Sequence, residues 1–376
     1  MRNKEKKEKR IRRLLVKIML GAAVLVFLGA VGFLALQISG KNRLYGKADS
    51  GEMIDALSGM AVELGGVQEE GEDWRSGDIR YEGIHYRYNE EILTFLFLGI
   101  DKMSEVGDAK DAQDGGQSDA IFLLVLNPHS REISVIGIPR DTMTDVEMYY
   151  EDGTYWKTAK TQLAVQHGYG DGAEVSCERS RDAVSRLFYG LPIHGYCAIN
   201  MGAIPLINDA VGGIELEAVE TLNFKDFKIK EGEKIHLKGM DAYYYLHNRD
   251  INSFNSAGRR LERQKQYLTA YAKAAMDKIK EDLTFPVTLY NTLSKYMVTD
   301  ISLDEISYLA TQAAGYGFSG ENLRSLAGAT VQGEIYEEFY PDEKALYELI
   351  LDVFYEEVEW NEAVRENRIN VSEAKP

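Results

Sequence analysis

"AIFLLVLNPHSREISVIGIPRD", residues 120–141, carries two apolar runs separated by the turn-rich "NPHSR" and ends in a charged pair. Continuous apolar runs of this length, bounded by turn residues, suit strands buried in a sheet. Residues 92–101, "ILTFLFLGID", repeat the pattern and finish on a carboxylate. Proline has no N–H with which to continue a ladder, so Pro139 reads as the stop of its strand, with Arg140 and Asp141 fixed at the sheet edge. Helical spacing recurs in "RSRDAVSRLFYGL", in "AIPLINDAV" and in "RRLERQKQYLTAYAKAAMDKIKED", where Leu261, Tyr267, Leu268 and Tyr271 make one apolar face. "HGYCAIN", "GGIELEA" and "EKIHL" read as extended pieces between them, and "TVQGEIYEEFY" as a strand-like stretch among the later helices. Such interleaving predicts an α/β fold, a layered α/β/α domain whose central mixed sheet is flanked by helices.

The first 17 residues hold nine Lys/Arg against two Glu, and residues 18–38 then run without a charge. A stretch of 21 apolar residues spans a hydrocarbon core of about 30 Å, whereas a cleaved signal has a core of about 7 to 15 residues. The length favours one retained transmembrane helix. Basic residues stay on the cytoplasmic side, so the expected localisation is the cell membrane, single-pass, with the N-terminus inside and the remainder extracellular. The organisation read from the sequence is a basic tail over 1–17, an anchor over 18–38, a stalk over 39–90 with one short amphipathic helix, a globular domain over 91–360 and a flexible tail over 361–376.

Of the formal net charge of −17, the basic tail contributes about +7, which leaves the exterior part near −24. That balance argues against a general nucleic-acid binder. Cys177 and Cys197 fit no zinc spacing, and the six histidines form no HExxH pair. The two thiols are open to pairing or to burial as free cysteines. Neither GxxxxGK[ST], GxGxxG nor GxSxG occurs. Charge does gather after apolar runs, at Asp101, Ser118 with Asp119, Arg140 with Asp141, and Arg249 with Asp250. Side chains at strand ends are where α/β proteins usually build sites. Arg260 and Arg263 share a face near the start of the long helix, where a phosphate would be welcome. Carboxylates and arginines without His or Cys ligands point to a hard cation and phosphate chemistry.

The ordered motifs "FLFLGID", "SDAIFLLVLNPHSREISVIGIPRDT", "KTQLAVQHGYG", "LPIHGYCAINMGAIPLINDAVGGIELE", "LKGMDAYYYLHNRD" and "RRLERQKQYL" resemble those of the LytR-CpsA-Psr family of bacterial cell-wall enzymes. The resemblance is strongest over residues 92–280. It implies a phosphotransferase that moves a glycopolymer, of teichoic acid or capsular polysaccharide type, from an undecaprenyl-pyrophosphate carrier to peptidoglycan through a phosphodiester. By the same resemblance, Mg²⁺ is the expected cofactor, with Asp101 and Asp119 as its acidic positions. Arg140, Lys160, Arg249, Arg260, Arg263 and Gln264 match positions that bind the pyrophosphate, and Asp101, Arg140, Asp141 and Arg249 carry the expected catalytic roles. One aspartate would accept the attacking hydroxyl's proton. Asp141 reads either as that group or as a partner that orients Arg140.

Four positions depart from the family pattern. Gln117 and His247 stand where arginines are usual, Met103 where an arginine is frequent, and Ala257 where an acid is expected. A site less cationic than usual leaves two other readings open, a lipid-pyrophosphate hydrolase and a non-catalytic polyprenyl-phosphate or wall-binding regulatory protein. Both sets of residues sit in an acidic chain with no helix-turn-helix signature, which leaves a DNA-binding role without support.

Overall fold

The computed structural model describes residues 33–47, 50–63, 75, 77–107, 115–225, 227–249, 254 and 256–358. Helix α1, residues 33–45, and α2, Gly51–Glu63, precede a hairpin of β1, Ile79–Tyr81, and β2, Ile84–Tyr88. The three apolar runs become β3, Leu93–Ile100, β4, Ser118–Asn127, and β5, Glu132–Ile138. After the Pro-Arg-Asp turn come a hairpin of β6, Met143–Tyr149, and β7, Tyr155–Gln162, then α3, Glu174–Leu187, and β8, Gly195–Asn200. Helix α4, Ile204–Ala210, leads to four short strands, β9, Ile214–Glu217, β10, Leu222–Phe224, β11, Phe227–Ile229, and β12, Lys234–Leu237. Next are α5, Met240–His247, the long α6, Ser256–Glu281, α7, Phe285–Leu293, β13, Met297–Thr299, and α8, Leu303–Ala313. The chain continues through β14, Leu323–Ser325, a hairpin of β15, Gly328–Gln332, and β16, Glu337–Pro341, then α9, Glu343–Phe354, and β17, Tyr355–Glu357.

Six strands make the central sheet in the order β13-β8-β3-β4-β5-β14. β4 runs antiparallel to β3 and β5, whereas β8 is parallel to β3 and β14 parallel to β5, so the sheet is mixed as expected. Period-two alternation gives each face its own core. Leu96, Leu98, Ile121, Leu123 and Ile136 pack with residues of α2, α3 and α9, while Leu93, Phe95 and Leu126 meet Leu44 and Tyr308 on the other side. Each fully buried Leu, Ile or Phe contributes roughly 1.5–3 kcal/mol, and a one-residue slip of register would turn the whole set toward the wrong layer. Pairing of β5 with β4 stops at Ile138, before Pro139, as the sequence predicts. A second core cluster, with Ile214, Leu222, Phe227, Tyr245 and Tyr267, joins the small strands to α5 and α6.

The expected stalk over 39–90 is corrected. It has its helix, but Met53 and Leu57 of α2 are fully buried in the main core, and β2 pairs with both β1 and β17. Leu44 is also fully buried, and Gly40 lies so close to the Asp304 carbonyl that a Cβ would stand 2.4 Å from its oxygen. The described residues of the 39–90 segment are therefore part of the folded domain rather than a spacer. The end of the "PDEKALYELILDVFYEE" helix is corrected too, because residues 355–357 leave it to form β17. Most of the expected anchor, residues 18–32, and the basic tail lie outside the described residues, as does the tail over 361–376. Among the described residues no helix is long and apolar enough to cross a membrane. Cys177 and Cys197 are free and buried.

His194 opens the β3–β8 pairing: its N–H donates to the Thr94 carbonyl at 2.7 Å, and its Nδ1 accepts from the Thr94 N–H at 3.1 Å. Burial pushes its pKa down to about 4, so the folded state holds it neutral. An unfolded histidine takes up its proton near pH 6.5, and stability is therefore present above that pH and lost as pH falls toward 4. Replacement by Gln is expected to remove on the order of 3 kcal/mol of that pH dependence, seen as a flatter plot of urea midpoint against pH between 6.5 and 4.

Candidate active site

β3 and β5 run antiparallel to the β4 between them, so the ends of β3 and β5 and the start of β4 lie at one edge of the sheet. This brings Asp101, Ser118 with Asp119, and Arg140 with Asp141 together. A register shift between Gly99 and Ile100 pairs Ile100 with Ser118, a bulge of the kind that re-aims side chains beside sites. The Asp101 N–H donates to the Gln117 carbonyl at 3.1 Å, and the Gln117 N–H donates to Asp101 Oδ1 at 2.7 Å. After Pro139 the chain is clamped by backbone bonds. The Arg140, Asp141 and Thr142 carbonyls accept from Ala164, Phe339 and Leu163 at 3.1, 2.9 and 2.8 Å.

Asp119 is the hub. Its Oδ1 accepts from Arg140 Nη1, and its Oδ2 accepts from Arg260 Nη1 at 2.9 Å. Asp119 is buried and Arg260 is only 3% exposed, so each guanidinium depends on that carboxylate for charge balance. Burial and the nearby Arg249 hold the Arg260 pKa down at about 10, and burial lowers that of Arg140. Arg140 also donates from Nη2 to Gln117 Oε1 at 2.6 Å and lies with Nε 3.3 Å from Asp141 Oδ1. The same Oδ1 accepts from Gln162 Nε2 at 2.9 Å. Burial raises the Asp141 pKa, opposed by Arg140, Arg249 and Arg260 in turn.

Arg249 follows α5 and its Nη1 donates to Ser256 Oγ at 3.3 Å. Arg140, Asp141, Gln162, Arg249, Ser256 and Glu337 face a cleft of about 380 Å³. Asp101, Gln117 and Tyr169 border a second cleft of about 640 Å³. The Arg140–Gln117 hydrogen bond joins a residue that lines the first cleft to one that lines the second.

Three expected binding residues are placed elsewhere. Arg263 is 1% exposed and donates to the carbonyls of Tyr245 and Asn248 and to Glu220. Gln264 Nε2 donates to the Leu246 carbonyl at 3.3 Å. A helix leaves its last carbonyls without intrahelical partners, and these two side chains satisfy those of α5, which fixes the position of Arg249. Although Arg260 and Arg263 share a helix face, their guanidinium groups serve different neighbours. Lys160 is exposed on β7, with Asp145 as its cross-strand partner, and does not line the arginine cleft. Asp250 lies outside the described residues. Gln162, Ser256 and Glu337 were not singled out by the sequence reading: Gln162 sits in the "KTQLAVQHGYG" motif without a charge to mark it, and Ser256 and Glu337 reach the cleft only through the packing of α6 and β16. His247 stacks on Tyr243, with ring centroids 4.9 Å apart, and burial lowers its pKa.

Removing one partner of a buried ion pair leaves the other uncompensated, at a cost of about 3–5 kcal/mol. Asp119→Ala is therefore expected to lower unfolding stability by about 3 kcal/mol or more. Asp101 is exposed, and Asp101→Ala is expected to cost about 1 kcal/mol or less. Urea denaturation of the two variants checks the contrast.

The model of the LytR_cpsA_psr family matches residues 72–346. A Halalkalibacterium halodurans protein named polyisoprenyl-teichoic acid–peptidoglycan teichoic acid transferase TagU is 27% identical over 63% of this chain and 72% of its own. An Oceanobacillus iheyensis protein of the same name is 28% identical over 63% of this chain and 68% of its own. The crystal structure of B. subtilis TagV superposes with a TM-score of 0.52 at 22% identity, over 69% of this chain and 95% of that one. The shared architecture is the mixed sheet with its helical layers. With the family model spanning well over half its length, the chain belongs to the LytR_cpsA_psr family.

Proposed function

We propose that this protein is a phosphotransferase that moves a glycopolymer of teichoic acid or capsular type from a polyisoprenyl pyrophosphate carrier, undecaprenyl pyrophosphate, to peptidoglycan. The observation that carries the reading is the convergence of Arg140, Arg249 and Arg260 on one sheet edge beside Asp101, Asp119 and Asp141. Three fixed guanidinium groups suit a pyrophosphate, whose leaving half gathers negative charge as the bond breaks. The two relatives named for polyisoprenyl-teichoic acid transfer to peptidoglycan support the donor and acceptor classes. Location of the domain outside the membrane, behind the anchor read at residues 18–38, belongs to the same proposal.

The donor set fits Mg²⁺. Asp101 and Asp119 offer hard oxygens only, and among the described residues no three His, Cys, Asp or Glu gather to cage an ion. Mg²⁺ usually takes one or two carboxylates and completes its shell with water and substrate phosphate. Asp101 would hold it directly, and Asp119 would join once Arg140 turns to phosphate. The cation would supply charge neutralisation on the pyrophosphate oxygens.

In the proposed step, the C6 hydroxyl of a muramic acid attacks the phosphorus that carries the polymer. A phosphodiester bond forms, the bond to the carrier phosphate breaks, and polyprenyl phosphate leaves with the electron pair. The hydroxyl proton passes to Asp141, which faces the cleft and whose burial raises its affinity for a proton. Arg140 and Gln162 fix that carboxyl through Oδ1. The lipid tail requires apolar walls. The stretch "VSRLFYGL", residues 184–191, is ordinary core and offers none, because Val184, Phe188 and Leu191 are fully buried against the sheet. The partly buried Ile204, Leu246, Tyr271 and Phe285, around the second cluster, offer the better surface.

Incubation of the full chain with Mg²⁺, a lipid-pyrophosphate glycan and peptidoglycan fragments is expected to yield linked product by mass spectrometry. Arg249→Ala is expected to lower the rate at least about a hundredfold, as loss of a charge-stabilising donor does. The acid limb of the pH–rate profile is expected above the ordinary carboxylate range, because activity falls as Asp141 takes up a proton, and Asp141→Asn is expected to abolish that limb. Release of free glycan phosphate without linked product would favour a hydrolase, and binding without turnover a regulatory protein.

A further inference from the structure

The β6–β7 hairpin carries a second feature that the arginine cleft does not use. Tyr149, Tyr150 and Tyr169 wall a cavity of about 280 Å³ whose rim holds Glu151, Asp152 and Asp171. Arg179 is stacked 3.3 Å from the centre of the Tyr149 ring and donates to the Tyr169 carbonyl, so the aromatic walls are braced. Outside the cavity the aromatic surface continues. Trp156 lies 5.8 Å from Tyr150, Tyr155 lies 5.8 Å from Tyr149, and the Lys157 ammonium sits 4.2 Å above Trp156.

Tyr150, Tyr155 and Trp156 are 55%, 57% and 49% exposed, a concentration of large rings that a soluble surface seldom leaves without purpose. Flat aromatic faces with hydrogen-bonding tips accept the C–H faces of a sugar ring, and rim carboxylates accept bonds from its hydroxyl and amide groups. The charge selects among sugars. Three carboxylates against the one arginine of the lining repel a polyphosphate chain and tolerate a neutral one. Gly168 and Tyr169 border both this cavity and the cleft at Asp101, so a chain seated on the hairpin continues toward the sheet edge.

We propose that this cavity is a subsite for a neutral N-acetylated glycan strand, the acceptor side of the transfer, while the anionic donor lies in the arginine cleft. The inference rests on the transferase reading for its role but not for its binding. The test is calorimetric titration of the full chain in nanodiscs with an N-acetylglucosamine tetramer, with poly(glycerol phosphate) as competitor and inorganic pyrophosphate as a separate ligand. The wild type is expected to bind the tetramer. Tyr150→Ala, which removes a wall, and Val175→Trp, which fills the cavity, are each expected to weaken it roughly tenfold with pyrophosphate affinity unchanged. Absence of tetramer binding, equal binding by both variants, or equal competition by poly(glycerol phosphate) would overturn the subsite. Loss of pyrophosphate binding by the wild type would instead strike the transferase reading and leave the subsite standing.

Discussion

One buried carboxylate, Asp119, holds two arginines that the chain separates widely, since Arg260 lies 141 positions beyond it. Each charge in this trio has been taken out of water at a cost of several kcal/mol, which the mutual pairing, with Gln117 and Asp141 beside Arg140, offsets. The trio therefore fixes where the start of β4, the turn after β5 and the first turns of α6 meet. It also defines how an anion would enter. A phosphate oxygen is the natural replacement partner for Arg140 or Arg260, and a guanidinium that changes partner frees an oxygen of Asp119 for a cation. Arg263 and Gln264 support this from a distance by satisfying the last carbonyls of α5, so that Arg249 emerges at a defined place.

The fold was legible where periodicity was strong. Residues 92–100, 120–127 and 132–138 read as strands because both faces of those strands are covered, and Pro139 ends its strand for the reason a proline must. The β6–β7 hairpin was not legible: its residues 155–158 are exposed, so they carry no alternation of burial that a hydrophobic pattern could reveal. The segment over 39–90 misled for a related reason, since its glycines and acids mask the few residues, Leu44, Met53 and Leu57, that enter the core. The structure brings Asp101, Asp119, Arg140, Asp141, Arg249 and Arg260 near one another because strand ends and a helix start converge. Sequence spacing alone could not tell that Arg260 turns to Asp119 and Arg263 to a helix end, since a shared helix face does not fix the direction of a long, flexible side chain.

The departures from the family pattern have physical consequences at this edge. Gln117 accepts a hydrogen bond from Arg140, a role no arginine can fill, so Arg140 is held by two acceptors, Asp119 and Gln117, and by the charge of Asp141 beside its Nε. His247 is packed flat against Tyr243 with a lowered pKa and adds no fixed charge. The cleft's own cations are thus Arg140 and Arg249, with Arg260 held on Asp119. In a chain with a formal net charge of −17, such concentration gives an anion a local place to approach.

The central claim is that Arg140 and Arg260 exchange the Asp119 carboxylate for substrate phosphate while Arg263 keeps its structural partners. The direct measurement is NMR of the arginine side-chain N–H groups of the full chain, titrated with a short-chain polyprenyl pyrophosphate and Mg²⁺. The account predicts that the Arg140 and Arg260 signals shift on saturation and that the Arg263 signal stays in place. Unmoved Arg140 and Arg260 signals, or a shift at Arg263 alone, would contradict it.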